Sequence, residues 1–95
     1  MSSRNVVITS AGLRALQENA MPRVANQVLW HMVSELPVTG EVVSKARLEE
    51  RLAVTRAQLS NTIKYLCQVG FLMRGARHGL SYHYKPNPAF FRILA

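Results

Sequence analysis

SKARLEERLAVTRAQLSNTIKYLCQVGFLMRG, residues 44–75, contains two short helices and the turn between them. Ser44 is a good N-cap for a helix over about 45–53, in which Ala46, Leu48 and Leu52 supply the apolar positions. Thr55 caps a second helix over about 56–69, with Leu59, Ile63, Leu66 and Cys67 recurring at steps that place them on one buried face. Gly70 stands where a left-handed C-cap residue is wanted. The link Ala53-Val54-Thr55 is so short that the helices must cross steeply, as in a helix-turn-helix. Position 54 carries valine where such turns often carry glycine.

Upstream, Thr9 and Ser10 offer caps for a helix over about 10–19, with Leu13 and Leu16 on one face. Pro22 suits the first turn of another helix. In that helix Val24, Val28, Leu29, Met32, Val33 and Leu36 form a core-facing stripe, and Trp30 lies off its centre, placed to pack on the first helix. Residues 38–43 read as a loop with a brief strand. Downstream the period changes from helical to alternating. Residues 71–74 make a short strand, 75–79 a glycine-bounded turn, and 80–85 a second strand, together a hairpin. Asn87-Pro88 can then cap a final short helix carrying Phe90, Phe91, Ile93 and Leu94. The expected fold is mainly α with a small β-hairpin wing, a winged helix-turn-helix. One domain covers residues 1–95, with the helix-turn-helix at about 44–70, the wing at about 71–85, and the terminal segments left for dimerisation.

Ninety-five residues with 48% hydrophobic content suffice for one core and not for two. No apolar run approaches the about 20 residues that span a bilayer, and residues 1–8 do not resemble a secretory leader. The lone Cys67 cannot form an internal disulfide. These features predict a cytoplasmic protein with no membrane partner. The net charge of +7 is unevenly placed. Basic and acidic residues balance over positions 1–50, whereas positions 51–95 hold seven basic residues and no acid. A one-sided excess of this kind is the footprint of a polyanion partner, although a generic basic surface would give the same net value.

The second helix of the pair carries the expected site. With Leu59, Ile63 and Leu66 inward, Arg56, Ala57, Gln58, Ser60 and Asn61 face outward and are assigned as base readers. Arginine forks onto guanine, and Gln or Asn onto adenine, each good pair discriminating by about 1–3 kcal/mol; an alanine methyl meets thymine. Contacts to the DNA backbone fall to Ser44 and Lys45 at a helix N-terminus, to Thr55, Lys64 and Tyr65, and to Arg74, Arg77 and His78 around the hairpin tip. No carboxylate lies on the reading helix to repel phosphate. An ordinary solvated helix face is the plainer explanation, and the hairpin arginines can equally serve to keep an edge strand from pairing.

The quoted stretch resembles the winged helix-turn-helix of the MarR-like superfamily. More narrowly, it is similar to the small plasmid regulators of the KorC type and to the RepL-like plasmid replication proteins. PRVANQVLWHMVSEL before it and the hairpin running into YKPNPAFF fit the same pattern, so the likeness covers about residues 22–91. It implies repression of plasmid or accessory-element promoters by a homodimer on a palindromic operator, with Arg56, Ala57, Gln58, Ser60 and Asn61 as readers.

Catalytic and metal chemistry have little material here. The chain holds five glutamates and no aspartate, so paired-carboxylate catalysis and carboxylate-rich metal sites are not expected. Cys67, His78 and His83 match no closed zinc spacing. Cys67 reads as a small buried apolar residue and His31 as a helix-surface or interface residue. No enzyme activity and no cofactor are expected. The predicted partners are double-stranded DNA, a second copy of the chain meeting it through Leu13, Leu16, Phe90, Phe91, Ile93 and Leu94, and a cooperating repressor. Two other roles remain open at this level: replication control at a plasmid origin, and a protein-interaction module built on the same fold.

Overall fold

The computed structural model describes residues 4–94. In chain order it contains β1 (Asn5–Ile8), α1 (Ser10–Glu18), α2 (Arg23–Glu35), β2 (Glu41–Val42), α3 (Lys45–Leu52), α4 (Arg56–Val69), β3 (Leu72–His78), β4 (Ser81–Pro86) and β5 (Phe91–Leu94). The chain is thus mixed α and β, with more strand than the alternation at 71–85 alone predicts.

Local signals place the helix ends. The hydroxyls of Thr9, Ser44 and Thr55 each accept from a backbone N–H three residues on, satisfying donors that a helix start leaves free. Leu36 closes α2 before Pro37. Here Arg4 Nη1 donates to the carbonyls of Val33 and Leu36 at 2.9 and 2.7 Å, so a side chain from the N-terminal segment completes the helix end.

One core joins these elements. Val28, Leu29, Met32 and Val33 of α2 meet Leu59, Ile63 and Leu66 of α4, with Leu48 of α3 and with Phe71, Leu72, Tyr84 and Phe91 from the strands and their approaches. Two antiparallel sheets flank it, ordered β1-β5 and β2-β4-β3.

Two expectations are corrected. The final element is a strand: β5 pairs with β1, Ile8 opposite Phe91 and Val6 opposite Ile93. Asn87 caps one isolated turn, after which the chain extends into β5 instead of continuing as a helix. Its carbonyl accepts from both Phe90 and Phe91, its Oδ1 accepts from Ala89 N at 2.9 Å, and its Nδ2 donates to Gly70 O at 2.7 Å. The turn is thereby anchored to the end of α4. The second correction concerns the hairpin, whose β3 continues through Gly75 and Ala76 to His78, leaving a two-residue loop of Gly79 and Leu80. Trp30 packs edge-on against Phe91 at 5.9 Å between ring centroids.

The first and last described strands, with their adjoining turns, therefore close on each other. Thr9 N donates to Phe90 O at 3.0 Å and Thr9 Oγ1 to Ala89 O at 2.6 Å. Gly12 lies so close to this turn that a Cβ there would stand 2.5 Å from Phe90 O, which only glycine permits. Phe91 is 2% exposed, and truncating a ring buried to that degree costs about 3–5 kcal/mol.

Candidate nucleic-acid interface

Helix α4 begins with a reciprocal cap. Thr55 Oγ1 accepts from Gln58 N at 3.1 Å while Gln58 Oε1 accepts from Thr55 N at 3.0 Å. At its other end Gly70 adopts φ +102, the left-handed cap expected there. Between these ends Leu59, Ile63 and Leu66 are buried, and Ala57, Asn61, Lys64 and Gln68 form an exposed stripe at spacings of four, three and four.

The expected base readers are not equally available. Arg56 is exposed, but its Nε donates to the carboxylate of Glu49 on α3. The absence of acid on α4 therefore does not leave its first turn acid-free. Gln58 is exposed as well, yet its carbonyl oxygen belongs to the cap, so a two-point grip on adenine would require breaking it. Ser60 is half-buried and accepts from Lys45 Nζ at 3.4 Å. Asn61 is exposed, and its side chain makes no hydrogen bond or ion pair to another described residue. Ala57 is equally exposed.

Among the expected backbone contacts, Ser44 and Thr55 spend their hydroxyls on capping Arg47 N and Gln58 N. Tyr65 is half-buried and donates its hydroxyl to Ala20 O at 2.6 Å. It ties α4 to the α1–α2 link rather than reaching outward. Lys64 is exposed and unpaired among the described residues.

The hairpin holds a feature that spacing alone does not disclose. Arg74 lies opposite Tyr84 and Arg77 opposite Tyr82, three residues on one strand against two on the other. That extra residue is a β-bulge. Opposed residues share a face of a sheet and so do residues two apart along a strand, so the bulge brings Arg74 and Arg77 to the same face. An unbulged strand would have put them on opposite faces. The Arg74 guanidinium sits 4.6 Å from the centroid of the Tyr82 ring, a cation–π placement. Arg77 Nε donates to Gly79 O at 2.7 Å, folding its side chain over the loop. His78, opposite Ser81, falls on the other face and is separated from the arginines it was grouped with.

Helix and hairpin enclose an open groove of about 710 Å³. Lys45, Ser60, Lys64, Gln68, Arg74 and Tyr82 line it above Ile63, Cys67, Leu72 and Tyr84. No acid lines it. A second groove of about 630 Å³, between α2, β2 and α3, is lined instead by Glu35, Glu41 and Glu50 together with His31, Arg47 and Arg51. The two sides of α3 therefore differ, one groove lined by cations without acids and the other by both signs. Burial pushes the Cys67 thiol up from its ordinary range, against the opposing pull of Arg74, and burial likewise raises the Tyr84 phenol. Both stay protonated at neutral pH, so the groove keeps its positive sign. Cys67 is half-buried, as a packing residue would be.

No family model matches the chain, and no curated protein or solved structure matches it either.

Of the residues assigned to an interface between copies, Phe91 is in the core and has no surface to offer. Phe90 packs on Phe71 at 5.6 Å between centroids, and Leu16 is half-buried against the core. Ile93 is half-buried, opposite Val6. Leu13 and Leu94 remain, 51% and 46% exposed. The exposed Val7 joins them from β1, a residue the sequence reading passed over because β1 itself went unread. Among the described residues no group of three or more His, Cys, Asp or Glu side chains is placed to hold a metal ion. No helix there is long and apolar enough to cross a membrane.

Proposed function

We propose that the chain is a winged helix-turn-helix protein that binds double-stranded DNA sequence-specifically and represses transcription as a homodimer. In this reading α4 is the recognition helix, the β3–β4 hairpin is the wing, and the groove between them receives a phosphate strand. One observation carries it: Lys45, Lys64 and Arg74, from three separate elements, line a single acid-free groove beside the exposed Ala57–Asn61–Lys64–Gln68 stripe. Three cations converging on one concave surface oppose each other unless a polyanion shares the space. The stripe alongside supplies the amide groups that read base edges in a major groove.

The contacts divide by task. Asn61 and Ala57 read bases directly. Arg56 and Gln58 join only by exchanging Glu49 and the cap for DNA. Lys45, Lys64, Arg74 and Arg77 hold phosphates, which positions α4 without reading sequence. So small a reading unit gains affinity and symmetry by doubling, and two copies of α4 about 34 Å apart would address a palindrome. Val7, Leu13 and Leu94 supply the apolar surface for that pairing. Repression follows from occupying a promoter; the resemblance of residues 44–75 favours a plasmid promoter, with a partner repressor as a source of cooperativity.

Selection of bound duplexes from a random pool tests this reading. Enrichment of an inverted repeat, with light scattering giving two chains per duplex, is the expected result. Enrichment of no sequence, together with affinity indifferent to salt, would overturn it and favour a protein-interaction role.

A further inference from the structure

The hairpin tip carries a side chain that folding does not use. Leu80 is 91% exposed, the most exposed large apolar residue among those described. It occupies the second position of the two-residue loop, after Gly79 at φ +63, the residue order of a type II′ turn. Nothing lies within 4 Å of the point where a Gly79 Cβ would stand, so the tip projects clear of the domain. It is nevertheless held. Arg77 grips the Gly79 carbonyl from one side, and the paired strands on either side of the bulge fix the direction of the loop. Strands β3 and β4 contain no acid, and Arg74, Arg77 and Lys85 give the hairpin a positive shaft.

A lone apolar head on a stiff cationic shaft is the form of a minor-groove wedge. Such side chains enter between base steps, part the stack and kink the duplex by about 20–90°. A protein-binding hot spot would instead sit among further apolar neighbours, whereas Leu80 is flanked by His78, Gly79 and Ser81. We propose that Leu80 is inserted into the minor groove and bends the bound DNA. This rests on the DNA-binding reading above and goes beyond it, since that reading requires no bend. The charge of the shaft selects a polyanion as occupant, and the single projecting leucine selects a stacked duplex with steps to part.

The test uses the whole chain and a duplex it selects from a random pool, labelled at both ends for energy transfer and carrying 2-aminopurine at successive steps flanking the site. Wild-type protein should raise transfer and brighten one step as it unstacks. Leu80→Ser should lose both signals while keeping the same preferred sequence and the same melting temperature, and Leu80→Phe should keep both. If Leu80→Ser bends and unstacks the duplex as wild type does, or if wild type binds a straight duplex, the wedge is wrong and DNA binding stands. If wild type retains no duplex at all, the reading beneath it fails and the wedge with it.

Discussion

Arg56 Nε at the start of α4 donates to Glu49 Oε2 on α3, so an acid from one helix restrains the foremost cation of the next. Their side chains are 59% and 26% exposed, and a pair so open to water contributes about 0–1 kcal/mol to folding. Its consequence for binding is larger than for stability, because DNA must compete with Glu49 for the guanidinium.

Glu49→Gln should therefore tighten duplex binding while lowering folding stability by less than about 1 kcal/mol. Paired denaturant melts and duplex titrations check both parts. Weaker binding would show instead that Glu49 orients Arg56 rather than withholding it.

The turn between α3 and α4 has its own cost. Ala53 adopts φ +53 and ψ +45, a left-handed conformation that burdens an L-residue by roughly 1–2 kcal/mol. Val54 N and the Ala53 N–H both donate to Glu49 O, which holds the turn in place. Ala53→Gly relieves the strain and gives back part of the gain through a looser unfolded chain. A net rise of about 0.5–1 kcal/mol is expected, seen as a higher urea midpoint at unchanged slope. A fall would mean that the Ala53 methyl contributes packing that outweighs the strain.

His31 supplies the acid-side prediction. Burial lowers its pKa from the ordinary 6.5, Glu35 opposes that change and Arg51 adds to it. A group with a depressed folded pKa binds its proton more weakly folded than unfolded, so stability present above the unfolded value is lost as pH falls through 6.5 toward the folded value. Wild type should lose stability from pH 7 to 5, and His31→Gln should lose less across that window. Parallel curves would place the acid sensitivity elsewhere.

What could be read from the chain follows the range of the forces involved. Thr9, Ser44, Thr55 and Gly70 were legible because a cap is made by neighbours three or four residues away. The core stripe of α2 was legible because its period is long and repeated. Phe91-Arg92-Ile93-Leu94 is too short to distinguish a period of two from one near four, and its strand identity depends on pairing with Asn5–Ile8 at the far end of the chain. The bulge cannot be read from either strand alone, since it is a mismatch between Arg74–Arg77 and Tyr82–Tyr84. Arg56 and Glu49 are seven residues apart across a turn, outside the three- and four-residue spacings by which helix pairs are recognised. Tyr65, bonded to Ala20 across 45 residues, gives no local sign of it.

Asn61 and Lys64, adjacent on the exposed stripe of α4, separate reading from holding. Binding of Asn61→Ala and Lys64→Ala to the selected duplex and to each of its single-base variants, over a range of salt, tests the account most directly. Asn61→Ala should lose about 1–3 kcal/mol at one base position and become indifferent there, while Lys64→Ala should weaken binding on every sequence and reduce the salt slope by about one. A uniform loss for Asn61→Ala, with the salt slope untouched by Lys64→Ala, would contradict the assignment of α4 as the reading helix.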